Sequence, residues 1–112
     1  MFEDLLRQNL SYINETPTLF PIFPSREVKL KIKIEESTYF ICCNPKGVFL
    51  ESEFEQYDCY FDCSKESFTD LLLKKVHLQK LLKINGTIYQ GSFRNLLFLE
   101  SLFSFFSMIK KS

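Results

Sequence analysis

The stretch DCYFDCSKESFTDLL (residues 58–72) changes its hydrophobic period in the middle. In its first half the apolar side chains occupy every second position, as in a strand with one buried face. In its second half they recur three and four positions apart, which is typical of an amphipathic helix. Ser64 stands at the change of period and suits the position before a helix, where its hydroxyl accepts a free backbone N–H. The stretch therefore predicts a strand that leads directly into a helix, which we place at residues 64–80.

Three further segments ahead of this stretch have strand character. The alternation is strictest in VKLKIKI (28–34), where lysines share one face and aliphatic residues the other. TYFICCN (38–44) and VFLESEF (48–54) follow, and the NPKG (44–47) between them has typical turn residues. Short connections favour antiparallel neighbours. Residues 28–63 are therefore predicted to form an antiparallel meander of four strands.

The two ends of the chain add helices and one more strand. Residues 1–13 carry an apolar stripe at helical spacing and predict an N-terminal helix. Residues 14–27 hold three prolines, which disfavour a helix, and predict a loop that is nevertheless apolar. LLKING (81–86) alternates and stops at a glycine, which predicts a fifth strand. Residues 92–110 predict a long C-terminal helix.

The order of these segments predicts a single domain, residues 1–112, of the α+β class. We expect a five-stranded, mainly antiparallel sheet with helices on one face. A chain of 112 residues cannot be divided without leaving each part too small for a core of its own.

Charge and cysteine content argue against several classes of function. The chain carries 14 basic and 14 acidic residues, so it has no net field to attract nucleic acid. MFEDLLRQNLSYINE (1–15) lacks the apolar core of a secretory signal, and the C-terminal apolar run is shorter than the roughly 20 residues of a membrane span. We therefore expect a cytoplasmic protein with no transmembrane segment, whose four cysteines are reduced thiols.

The residue types needed for catalysis or metal binding do not come together in the sequence. The single histidine, His77, lies in a connecting segment, and no nucleophile or carboxylate pair accompanies it. Cys42 and Cys43 are adjacent, which cannot supply the usual spacing of a zinc pair, and only Cys59 and Cys63 come near it. We expect no catalytic residue, no metal and no cofactor, and hence a protein that is not an enzyme.

The C-terminal helix has more apolar surface than one buried stripe requires. From Leu96 to Ile109 nearly every residue is apolar, and only Glu100 and three serines interrupt the run. A helix that covers a sheet needs an apolar stripe about 100° wide. The excess fits a central core helix, a homodimer interface, a membrane-surface helix or the wall of a ligand cavity.

Residues 58–72, together with the order of elements, resemble the sterol carrier protein 2 family of lipid-binding domains. The positions that carry the resemblance are Asp58, Ser64, Glu66, Phe68, Leu71 and Leu72. LLKING (81–86) and the apolar residues 92–109 are similar to the last strand and last helix of that family. Two departures are the segment KKVHLQK (74–80), which is shorter than its helical counterpart, and a threonine that replaces the usual aspartate after LLKING.

The resemblance implies an apolar tunnel between the sheet and the helices. In the family such a tunnel holds a sterol, a fatty acid, a fatty acyl-CoA or another lipid without chemistry. The side chains expected along it here are Ile32, Ile41, Leu50, Phe61, Phe68, Leu72, Ile84, Leu99, Phe103 and Phe106. The expected lid consists of Leu19, Phe20, Ile22 and Phe23.

Two hypotheses of function follow from this. The first is a carrier, or a lipid-presenting accessory of an enzyme, whose partner is a hydrophobic small molecule such as an acyl chain, an isoprenoid or a sterol-like lipid. The alternative is a protein-interaction module with a self-filled core and no lipid, which forms a homodimer or docks on an enzyme through its C-terminal helix. Transient contact with a membrane is expected for either.

Overall fold

The computed structural model describes residues 2–107 of the chain. Its elements in chain order are α1 (Phe2–Asn14), a 3₁₀ helix (Pro17–Ile22), β1 (Val28–Ile34), β2 (Ser37–Asn44), β3 (Gly47–Glu51), β4 (Cys59–Cys63), α2 (Lys65–Leu72), α3 (Leu78–Leu81), β5 (Ile88–Gln90) and α4 (Phe93–Ser104). The predicted α+β class is confirmed.

The sheet has five strands in the order β3-β2-β1-β4-β5. Three neighbouring pairs are antiparallel, and β1 and β4 pair in parallel. The prediction of a five-stranded, mainly antiparallel sheet is confirmed. The predicted meander over residues 28–63 is wrong in its last step, because β4 does not join β3 but adds to the opposite side of β1.

The connection from β3 to β4 crosses the outer face of the sheet, and its aromatic residues pack against that face. In the connection 52–58, Phe54 packs edge-on against Phe40 of β2, with ring centroids 5.0 Å apart. Further on, the ring centroid of Tyr57 lies 5.3 Å from the Lys31 ammonium of β1. The connection therefore spans two strands and delivers β4 beside β1, where its alternate side chains enter the core. This is the physical reason that the meander does not continue.

The inner face of the sheet and the helices share one hydrophobic core. The β1 side chains in this core are Val28, Leu30, Ile32 and Ile34, each at most 9% exposed. The parallel register places Ile32 opposite Phe61 of β4, so the buried face continues onto the neighbouring strand. Because α1, α2 and α4 contribute their buried apolar residues to the same core, they cover this face.

The segment between α2 and α4 differs from the prediction. The predicted helix 64–80 is interrupted, since the chain leaves the helix after α2 and begins a separate short helix, α3. The predicted fifth strand at 81–86 is wrong. Leu78 and Leu81 are one helical turn apart and both are buried, so their spacing favours α3 over a strand. The strand that completes the sheet, β5, comes after residue 86.

The helix α4 begins where the sequence predicts and ends earlier. The Ser92 hydroxyl caps its start and accepts the Asn95 N–H at 3.0 Å. At its other end the ammonium of Lys74 donates hydrogen bonds to three carbonyl oxygens, a favourable position for a cation. The three oxygens belong to Phe103 (3.1 Å), Ser104 (2.9 Å) and Phe106 (2.8 Å). Residues 108–110 of the predicted helix lie outside the described residues.

Two asparagines of α1 each form two hydrogen bonds, one donated and one accepted, with the backbone of one distant residue. Asn9, which is 2% exposed, donates to the Ser107 carbonyl and accepts the Ser107 N–H, both at 3.0 Å. Asn14 donates to the Val48 carbonyl at 2.7 Å and accepts the Val48 N–H at 2.8 Å. We call these the amide clamps. The first fastens the segment after α4, and the second fastens β3 to α1.

Replacing Asn9 by alanine is expected to lower the free energy of unfolding by about 2 kcal/mol, because it removes both hydrogen bonds that the buried Asn9 amide makes to the partly buried backbone of Ser107. Urea unfolding followed by circular dichroism measures the change. Ser11→Ala on the exposed side of the same helix is the control, expected to stay within about 0.5 kcal/mol of the wild type. Equal unfolding midpoints for the wild type and Asn9→Ala would show that the clamp contributes nothing.

Candidate functional site

Most of the side chains expected along a tunnel lie together between the sheet and the helices. Those at most 3% exposed are Ile32, Ile41, Phe61, Phe68, Leu72, Leu99, Phe103 and Phe106. Leu50 is partly buried and packs against the same core. Ile84 does not belong with them, because it is 48% exposed. It was expected to point inward from a strand, but it lies in the turn after α3 and faces solvent.

Phenylalanine rings form a connected cluster at the centre of this interior. Phe103 of α4 lies with its ring centroid 5.7 Å from those of Phe61 and Phe68 and 5.3 Å from that of Phe106. Phe68 also meets Phe2 of α1 edge-on at 5.4 Å. The rings thus join β4, three helices and the segment after α4. Phe2 was not among the expected tunnel residues, although it begins the apolar stripe of the N-terminal helix.

The interior is lined almost entirely by apolar side chains. Within residues 2–107, Asn9 is the only buried polar or charged residue. Cysteine thiols also lie in this interior, and burial raises the pKa of both Cys59 and Cys63 to about 12. A thiol with such a pKa stays protonated at neutral pH and behaves as a small apolar group.

The residues considered for catalysis or metal binding are not brought together. His77 is exposed at the start of α3, whereas all four cysteines are buried. Cys42 is on the outer face of β2, whereas Cys43 is on the inner face. In the part of the chain that the structure describes, no three His, Cys, Asp or Glu side chains form a group that could hold a metal ion.

The expected lid folds as the 3₁₀ helix rather than as an open loop. Proline is tolerated at the first position of a helix, where its missing N–H has no partner to lose, and Pro17 stands there. Leu19, Ile22 and Phe23 pack against the core as partly buried residues. Phe20 is 45% exposed and stacks on Phe23 with a centroid distance of 5.3 Å. Their role as a lid stays a prediction.

Comparison with known proteins places this arrangement in a known fold. No family model and no curated protein matches the sequence. The structure is similar to that of the ubiquinone synthesis protein UbiJ-SCP2, with a TM-score of 0.66 and 15% identity over 93% of this chain and 97% of that one. It is also similar to the sterol carrier protein domain 2 of Helicoverpa armigera, with a TM-score of 0.58 and 20% identity over 99% and 91% of the two chains.

A third similar structure is the sec-alkylsulfatase Pisa1 from Pseudomonas sp., with a TM-score of 0.62 and 12% identity over 80% of this chain. The match spans only 14% of the sulfatase, so there the fold is one part of a longer enzyme. Together these structures confirm that the chain has the sterol carrier protein 2 fold that its sequence predicts.

The buried thiols predict a loss of stability at alkaline pH. An unfolded thiol loses its proton near pH 9.0, whereas Cys59 and Cys63 keep theirs to about pH 12 in the folded protein. Between these values the unfolded chain binds fewer protons, so stability is full below pH 9.0 and falls as the pH rises. Each group contributes at most about 1.4 kcal/mol per pH unit.

Urea unfolding at a series of alkaline pH values measures this slope, and a Cys59→Ala/Cys63→Ala variant provides the comparison. We expect the variant to lose less stability per pH unit than the wild type, since the two proteins differ only in these two thiols. Parallel slopes in the two proteins would contradict the assignment to these thiols.

Proposed function

We propose that the protein binds a hydrophobic ligand between its sheet and its helices and carries or presents it without chemical change. The ligand is a fatty acid, a fatty acyl-CoA, an isoprenoid or a sterol-like lipid. One observation supports this most: a sterol carrier protein 2 fold that extends over nearly the whole chain surrounds an interior of aliphatic and aromatic side chains.

The free energy of binding comes from removing the ligand from water. An acyl chain of about sixteen carbons, at about 0.8 kcal/mol for each buried CH₂, gains more than micromolar binding needs after the cost of association. Inside the protein the chain replaces ring-to-ring contacts, such as that between Phe61 and Phe103, by contacts of the same apolar kind. The rings must shift to admit it, but no charged side chain among residues 2–107 is buried, so none of these has to move.

Room for the ligand is made by displacing the segment after α4. This segment, residues 105–107, places Phe106 in the core and is held by hydrogen bonds from Lys74 and Asn9. Such bonds are exchanged for bonds to water at a net cost of about 1 kcal/mol each, far less than the gain from burying a lipid chain. The 3₁₀ helix, which is the proposed lid, lies against α4 and covers the same helical layer.

Location and partners follow from the sequence and are proposed with the function. We place the protein in the cytoplasm and expect it not to be an enzyme. Among residues 2–107 no helix is long and apolar enough to cross a bilayer. A second copy or an enzyme partner would meet the C-terminal helix, where Phe93 and Leu97 are 64% and 41% exposed, and a membrane would be touched only transiently.

A tryptophan placed in the core reports lipid entry, because the chain contains none of its own. In Phe106→Trp the single indole starts in the core, on the segment that the entering ligand is proposed to displace, and so lies next to the ligand's path. We expect a dibrominated stearate to quench the emission of this indole, because bromine quenches fluorescence on contact. The quenching should saturate with an affinity of about micromolar. Phe93→Trp, which places the indole on the surface, is the matched control and should be quenched little.

The wild type provides a second measurement, since the larger indole could disturb packing. Native mass spectrometry with added stearate is expected to show a one-to-one complex that disappears on denaturation. Absence of both the complex and the quenching, in protein that unfolds cooperatively, would overturn the proposal. A concentration-dependent dimer under those conditions would instead select the interaction module.

A further inference from the structure

A surface pocket of about 370 Å³ opens where the chain enters β1 and α4 begins. Its walls combine residues that are far apart in the sequence, from the segment 24–28, from Asp58 and from the first half of α4. A volume of this size is at the lower end of pockets that hold small ligands. It is large enough for a carboxylate or phosphate group with its nearest carbons.

Two arginines line this pocket. Arg26 comes from the segment before β1, and Arg94 from the first turn of α4. Within residues 2–107 neither guanidinium makes a hydrogen bond or an ion pair. A guanidinium presents several N–H donors in a planar fork that matches a carboxylate or a phosphate, so two of them around one pocket favour an anionic group.

The acidic residues of the pocket are engaged elsewhere. Asp58 accepts the backbone N–H of Lys29 at 2.7 Å, and the Glu27 carboxylate lies 3.9 Å from the Lys29 ammonium. Glu27 is thus paired with the lysine ammonium and Asp58 with a backbone N–H, and both carboxylates also line a neighbouring pocket with Lys29. With Lys29 included, three cationic side chains stand against two anionic ones, so the surroundings of the pocket keep a net positive charge.

The same pocket reaches the hydrophobic core. Val28 lines it and is 9% exposed as a member of the core, and Phe98 lines it and packs against that core. An amphiphile can therefore place its charged end beside the arginines while its chain passes these two side chains into the interior. A free anion, which has no apolar chain, would gain no binding free energy from contact with Val28 and Phe98.

We propose that this pocket binds the anionic head group, a carboxylate or a phosphate, of the lipid whose chain enters the core. The inference rests on the proposed function and narrows it: the preferred ligand is an ionised amphiphile, such as a fatty acid or a lipid phosphate, rather than an uncharged sterol or alcohol. Arg26 and Arg94 determine that preference, and Phe98 separates the head group from the chain.

Affinities of palmitate and of hexadecanol for the wild type and for an Arg26→Gln/Arg94→Gln variant test the proposal by competition with a fluorescent fatty acid. We expect the wild type to prefer palmitate by about tenfold, as charge-assisted hydrogen bonds at a partly exposed site allow. In the variant this preference should disappear through weaker palmitate binding, with hexadecanol affinity unchanged. Arg7→Gln, which removes an arginine paired with Glu3 on α1, should keep the preference.

The outcomes separate this inference from the function on which it rests. If both lipids bind and the double variant still prefers palmitate, the head-group site is wrong while lipid binding stands. If neither lipid binds to any of the proteins, the proposed function fails and the inference fails with it. Millimolar acetate or inorganic phosphate should displace palmitate only weakly. Strong displacement by either anion, with hexadecanol binding untouched, would overturn the assignment in favour of a free-anion site.

Discussion

β1 and β4 run side by side in parallel at the centre of the sheet, and the other elements take their places from this pair. The pairing puts Ile32 beside Phe61 and makes one continuous apolar face on which the helices lie. Since α2 starts directly after β4, its Phe68 is brought over the same face. The parallel pair also obliges the chain to cross the outer face first, which the contact between Phe40 and Phe54 stabilises.

The helical layer is joined to that face mainly by aromatic rings and closed at its end by polar contacts. Phe103 touches rings from the sheet, from α2 and from the segment after α4. Lys74 and Asn9 then hold this segment by hydrogen bonds to its backbone. Apolar contacts have no preferred direction, whereas hydrogen bonds do. The rings of this layer are therefore held by contacts without a preferred direction, whereas the hydrogen bonds fix the position of the segment after α4.

Periodicity predicted the elements that bury a full face and was less informative elsewhere. The lysine alternation of β1 and the change of period at Ser64 both correspond to real elements. LLKING alternates over too few residues to separate a strand from a turn after a short helix, which is why Ile84 was misplaced. The parallel pairing was not predictable, because the length of the connection 52–58 allows either neighbour. Arg26 and Arg94 become neighbours only through that topology, so no local pattern marks them.

The clamp between Asn14 and Val48 has a consequence for association between molecules. β3 is an edge strand, and an edge strand normally offers free N–H and C=O groups to any extended chain that it meets. At Val48 both groups are already bonded to the asparagine amide. A second molecule that tried to extend the sheet would have to break these bonds and displace α1. One helix side chain thus blocks the pairing that begins aggregation at Val48, near the start of this edge strand.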